Sequence, residues 1–121
     1  MKQIQMNATF RIQDGKRAEF EAIGAEMIEL IRKNEPNIVQ YMRYFTEDGQ
    51  TCTVREIYKS SDAVMAHVAN VGAELQKLMA VAAIELEVYG PVSDELRDAL
   101  KPFNAPILSF HGGIDRALDE A

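Results

Sequence analysis

The chain of 121 residues is long enough to bury one core and too short for two ordinary domains. Hydrophobic residues make up 47% and charged residues 26%, which excludes a disordered segment. Thirteen Lys and Arg against nineteen Asp and Glu give a net charge of -6, the wrong sign for gripping a phosphate backbone, so no nucleic acid partner is expected.

From Ile4 to Ile12 apolar and polar residues alternate, with Met6, Ala8 and Phe10 on one face and Gln5, Asn7, Thr9 and Arg11 on the other, which predicts a strand. Asp14-Gly15 supplies a turn, and Lys16 to Lys33 then carries Phe20, Ile23, Met27, Leu30 and Ile31 at helical spacing. Asn34-Glu35-Pro36 stops this helix, because the residue before proline is pushed out of the α region. Ile38 to Thr46 and Thr51 to Tyr58 read as an antiparallel pair around the turn Glu47-Asp48-Gly49-Gln50. Ser60-Ser61-Asp62 offers N-cap side chains to a second helix running to about Met79, with Asn70 and Gly72 as positions for a break or kink. Ala82 to Tyr89 returns to period two. After Gly90-Pro91, Ser93 caps a short helix that Pro102 stops, and Ile107 to His111 reads as a short fifth strand before an acidic tail.

This βαββαβ order, with right-handed crossovers, predicts an α+β ferredoxin-like sandwich: a four-stranded antiparallel sheet with both helices on one face. Residues 1–90 form that domain, and residues 91–121 are an extension expected to pack on the same domain or on a dimer partner. Neither face of the second and third strands is wholly polar, so the sheet's open face needs cover. Two copies packed through it form a homodimer, the expected assembly. The single cysteine, Cys52, excludes internal disulfides and Cys-based zinc sites, and in its strand it reads as a buried apolar side chain. The longest apolar stretch, Leu78 to Ile84, is far short of the roughly 20 residues that span a bilayer. With no signal h-region at the N-terminus, the expected location is cytoplasmic, with no membrane partner.

Asp14-Gly15-Lys16 before a helix with Phe20, then Glu35-Pro36, Tyr41, Glu56-Ile57-Tyr58 and Ser60-Ser61-Asp62-Ala63 followed by Ala66-His67 together resemble the antibiotic biosynthesis monooxygenase family, including its quinol monooxygenases. The resemblance covers roughly residues 4 to 90. It implies a dimeric α+β barrel that oxidises a small aromatic, phenolic or quinol substrate with molecular oxygen and uses no cofactor. A related branch of the fold degrades heme with an asparagine on the first strand, a tryptophan on the third and a helix histidine. Asn7 and His67 match that pattern, while Tyr58 stands at the tryptophan position, as it does relative to many of the monooxygenases.

His67 and Asn7 are the candidate catalytic residues. An imidazole takes a phenolic proton near neutral pH, and an amide holds a substrate oxygen or developing oxyanion. Tyr41 and Tyr58 are candidates for stacking on an aromatic ring, and Arg43 and Arg55 for binding an anionic ring oxygen or pairing with Glu56. Glu56 otherwise reads as structural, and Glu85 with Glu87 as solvated charge or dimer salt-bridge partners. His111 is a weaker candidate in a turn-like tail. The scattered glycines form no phosphate loop, and the two histidines lie far apart, so neither nucleotide nor metal is expected. The reading is thus a monooxygenase that binds its substrate between the sheet and its second helix. Its alternatives are heme oxidation and a non-catalytic dimeric ligand-binding domain.

Overall fold

The structure, a computed structural model, describes residues 2–119; Glu120 and Ala121, the end of the acidic tail, lie outside them. The elements follow in the order β1 (Ile4–Ile12), α1 (Arg17–Asn34), β2 (Ile38–Phe45), β3 (Thr51–Tyr58), α2 (Ser61–Val81), β4 (Ala82–Tyr89), α3 (Asp94–Leu100), a 3₁₀ turn (Lys101–Phe103), β5 (Ile107–Leu108) and α4 (Arg116–Asp119). One mixed sheet has the order β2-β3-β1-β4-β5, antiparallel except for β5, which runs parallel to β4. This is the ferredoxin-like α+β arrangement.

Alternation along β1 sets the two faces. Ile4, Met6, Ala8, Phe10 and Ile12 are buried, and the register carries their face across the sheet through Met6↔Glu56, Ala8↔Val54, Phe10↔Cys52 and, beyond β3, Tyr41↔Glu56. Both long helices cover this face. α1 contributes Phe20, 1% exposed, with its ring edge-on to Phe10 at 5.4 Å. Burying such a side chain stabilises by about 1.5–3 kcal/mol. α2 contributes Val64, Val71 and Leu78, and its N-terminus is capped as expected, Ser60 Oγ accepting from Ala63 N–H.

α2 runs unbroken through Asn70 and Gly72 to Val81. One interior glycine costs only about 1 kcal/mol, less than the neighbouring buried valines and leucine return. Gly90 (φ 126) ends β4 where an added Cβ would lie 2.6 Å from the Gln3 carbonyl oxygen, so the chain leaves the sheet through a position only glycine fills comfortably. The start of the extension packs against this domain. Ser93 N–H donates to Ser61 Oγ on α2, Leu96 and Leu100 are buried, and Val88 N–H and Gly90 N–H donate to the Pro106 and Leu108 carbonyls. The fifth strand is two residues long; Ser109 to His111 fall outside it. The opposite sheet face is open, with Met42 and Tyr44 on edge strand β2 about half exposed.

Candidate functional site

His67 is buried on α2 and points between two buried carboxylates. Its Nδ1 lies 3.0 Å and 3.1 Å from the two oxygens of Glu35, and its Nε2 lies 3.9 Å from Glu56 Oε1. Glu35 is the residue that leaves α1 ahead of Pro36. The extended conformation forced there (φ -123, ψ 78) ends the helix and leaves the side chain beside α2. Asn70 Nδ2 donates to Glu35 Oε2 (2.7 Å) and to the Leu30 carbonyl (3.1 Å), while Asn34 Nδ2 donates to Asn70 Oδ1 (2.9 Å). On the other side, the Tyr58 hydroxyl donates a short hydrogen bond to Glu56 Oε1. The Tyr41 and Tyr58 rings lie 5.8 Å and 5.5 Å from the imidazole.

The two carboxylates are pushed in opposite directions. Burial pushes Glu35 up, but hydrogen bonds from His67 and Asn70, with the charge of His67, outweigh it and hold the carboxyl below its ordinary range. Burial pushes Glu56 up; His67 and the Tyr58 hydroxyl offset part of that, and the nearby Glu35 adds to it. Burial also raises Tyr41 and Tyr58, with Glu56 as the next cause for each, so both remain phenols. An ionised Glu35 only accepts hydrogen bonds, so the proton between the pair belongs to His67 Nδ1. In the neutral imidazole the free lone pair is then on Nε2.

His67 and Glu56, the carboxylate beside its Nε2, line a cavity of about 90 Å³ enclosed by the sheet, α1, α2 and α3. Its polar lining is Glu56, His67 and Tyr41, and the rest is apolar, from Met6, Ala8 and Phe10 on β1 to Phe103 on the 3₁₀ turn. A larger groove of about 400 Å³ lies between the sheet edge and the C-terminal segment, beside Gln5, Tyr89, Phe110 and Ile114, and lacks any imidazole and carboxylate pair. The buried acid-base groups therefore lie at the smaller cavity.

The expected site residues divide between the two faces of the sheet. His67, Tyr41 and Tyr58 come together, with Tyr58 packed behind Glu56 and away from the cavity lining. Arg43 lies on this face but not at the cavity. Its guanidinium lies over Gly24 of α1, where an added Cβ would sit 2.2 Å away, and 5.5 Å from the Phe20 ring. Asn7 and Arg55 are cross-strand neighbours on the open face, so the sheet separates Asn7 from His67 and the two cannot meet one substrate atom within a chain. Neither arginine pairs with Glu56, whose partners are Tyr58 and His67. Glu85 pairs with Arg11 at 2.5 Å on the exposed sheet face, and His111 is exposed in the tail. Cys52 is fully buried, and burial, partly offset by Arg43, pushes its thiol up and leaves it inert. Glu35 and Glu56 were the residues missed. One visible signal was Glu56 at an even position of β3 among Cys52, Val54 and Tyr58, a carboxylate on the core face.

A heme does not fit these residues. The cavity of about 90 Å³ is far too small for a porphyrin. Among the described residues, no group of three or more His, Cys, Asp and Glu could hold a metal ion, and no helix is long and apolar enough to cross a membrane.

A model of the antibiotic biosynthesis monooxygenase family matches residues 4–74. Among solved structures, MupZ from Pseudomonas fluorescens superposes with a TM-score of 0.85 at 24% identity, covering 96% of each chain. A candidate antibiotic biosynthesis monooxygenase from Caulobacter crescentus gives 0.66 at 25% identity over 72% of this chain and 87% of that one. SnoaB, a cofactor-independent oxygenase from Streptomyces nogalater, gives 0.65 at 18% identity over 77% and 96%. No curated protein matches the sequence.

Proposed function

The chain belongs to the antibiotic biosynthesis monooxygenase family, and from that premise we propose that it is a cofactor-independent monooxygenase acting on a small single-ring phenol or quinol. The observation that carries this reading is His67, fixed through Nδ1 by Glu35 at the lining of a largely apolar cavity. His67 takes the phenolic proton, and desolvation in the cavity leaves the phenolate electron-rich. The phenolate gives one electron to oxygen, and the resulting superoxide and ring radical join at a ring carbon as a peroxide. Loss of that carbon's proton with cleavage of the O–O bond leaves one oxygen atom as a ring carbonyl and expels the other as water, so phenol and O2 become quinone and water. Glu56, whose carboxyl burial pushes up, lines the same cavity and is the candidate acid for the departing hydroxide. SnoaB, cofactor-independent on the same fold, supports the absence of a cofactor.

Assembly is part of the proposal. The open sheet face, with Met42 and Tyr44 about half exposed and Asn7 Oδ1 buried without a hydrogen-bond partner, suits a second copy of the chain. Asn7 then belongs to the dimer seam. Oxygen consumption against hydroquinone and substituted phenols tests the chemistry: His67→Ala should lower turnover by about 100-fold or more, with circular dichroism confirming the fold. Unchanged turnover in the folded variant removes His67 as the base. Wild type inactive on quinols, phenols and naphthols would leave the non-catalytic ligand-binding reading.

A further inference from the structure

Glu35 is a carboxylate in an unfavourable place. It is the C-cap residue of α1, where the helix presents its negative end, and it is only 8% exposed. Both circumstances favour the neutral acid. Against them stand two hydrogen-bond donors among the described residues. His67 Nδ1 lies 3.0 Å and 3.1 Å from the two oxygens, and Asn70 Nδ2 lies 2.7 Å from Oε2, the shortest of the three contacts. Asn70 follows His67 by three positions on α2, so the two side chains share the helix face that meets the end of α1. Its amide is fixed in orientation: Oδ1 accepts from Asn34 Nδ2 at 2.9 Å, and Nδ2 serves two acceptors, Glu35 Oε2 and the Leu30 carbonyl. Asparagine is a poor helix former, and Asn70 is absent from the cavity lining, so neither the helix nor substrate contact accounts for it.

We infer that Asn70 is a positioning residue: by donating to Glu35 it keeps that group a carboxylate, and so keeps the imidazole proton on His67 Nδ1 and the lone pair on Nε2. This rests on the reading of His67 as a base for a phenolic proton. Without the Asn70 donor the carboxyl answers its burial by taking a proton. A protonated carboxyl donates, Nδ1 then accepts, the imidazole proton stands on Nε2, and no lone pair is left for a substrate. The balance at Glu35 supports this. Burial pushes it up, and the hydrogen bonds from His67 and then Asn70 outweigh burial. The titratable groups coupled to Glu35 are His67 on α2, Glu56 and Tyr58 on β3 and Tyr41 on β2, and none of them changes in an Asn70 variant.

The test is nitrogen NMR of His67 in the full chain, which reads the tautomer, with the carboxyl carbon signal of Glu35 followed against pH, for wild type, Asn70→Leu and Asn70→Ala. Leucine keeps the size and removes both N–H groups. Alanine, a smaller change at a half-buried position, is the second variant. At a pH where the imidazole is neutral, wild type should hold its proton on Nδ1. The variants should lose that preference, and their Glu35 signal should titrate at higher pH. Hydroquinone turnover should fall about 10-fold or more in kcat with KM little changed, the scale seen when a group supporting a functional histidine is lost. A residue that only ties α1 to α2 would lower the melting temperature and leave the tautomer alone. A proton on Nε2 in wild type, or a wild-type tautomer and Glu35 titration in either folded variant, overturns the inference; neither bears on turnover in His67→Ala, which tests the base itself. The reverse outcome, a tautomer that depends on Asn70 in a protein that turns over no phenol, keeps the positioning assignment and removes the proposed reaction.

Discussion

Replacing Glu35 by glutamine keeps the size of the side chain and removes one acceptor from a place where two donors converge. His67 Nδ1–H and Asn70 Nδ2–H both end on this carboxylate, and Asn70 cannot simply turn over, because its amide also donates to the Leu30 carbonyl and accepts from Asn34. Glutamine offers a single oxygen, so one buried donor faces an NH2 group. The cost of such an unmatched buried group is about 1–3 kcal/mol, and for a domain of this size that lowers the melting temperature by roughly 5–10 °C. The pH dependence follows from the direction of the shift. The folded state holds Glu35 below its ordinary value of 4.5, so its stabilising contribution is fully present above that value and is lost as pH falls toward the lowered one. The deficit of Glu35→Gln should therefore be largest near neutrality and shrink below about pH 4. Turnover, if His67 is the base, should fall by about 10²–10⁴-fold, because the imidazole loses the group that fixes its tautomer. Thermal melts of both proteins from pH 3 to 7 check it, and equal melting curves throughout would refute the role given to this carboxylate.

Glu56→Gln should behave oppositely. The folded state holds the Glu56 proton more tightly than the unfolded chain, so wild-type stability falls as pH rises from the ordinary 4.5 toward the raised value. The glutamine variant, still able to accept from Tyr58, should gain on wild type over that range in urea titrations, and a difference that is the same at pH 4 and pH 7 would contradict it. Sedimentation should give a species near 27 kDa, twice the chain mass of 13.6 kDa, and a monomer at tens of micromolar, roughly where an obligate interface is saturated, would remove the proposed seam. Deletion after Pro102 takes away β5 and the partly buried Phe103 and Ile107. At about 2–3 kcal/mol for that burial, melting should fall by roughly 10 °C, and an unchanged melting temperature would make the segment a passive tail.

The strands and α1 were legible because their apolar periods are unmixed, and because Gly15, Gly49 and Pro36 mark their ends. Asn70 misled as a possible helix breaker. Its side chain bonds Glu35, Asn34 and Leu30 instead of its own backbone, a partner set that only the packing of α1 on α2 supplies. The parallel pairing of β5 was equally out of reach, since it depends on how α3 and the 3₁₀ turn carry the chain back along β4. At the site, Glu35 read as a helix stop and His67 as a lone imidazole. Their separation of 32 positions hides a hydrogen-bonded pair. Asn7 drew attention as a polar residue in the first strand, yet its odd position already put it opposite Met6 and Ala8, away from the face the helices cover.

That separation of faces also bears on why the cluster exists. A buried imidazole between two buried carboxylates adds little to folding, since well-packed apolar residues of similar volume would be as stable or more so. The open face shows how the chain places charge when chemistry is not required: Arg11 and Glu85 pair there with both side chains more than half exposed. The helix face departs from that habit at Glu35, Glu56 and His67, and does so around a cavity that a slightly larger side chain at Ala8 or Ala99 would fill. Unfilled volume and buried acid-base groups each cost stability, and their occurrence at one place in the core is what the proposed base at His67 requires.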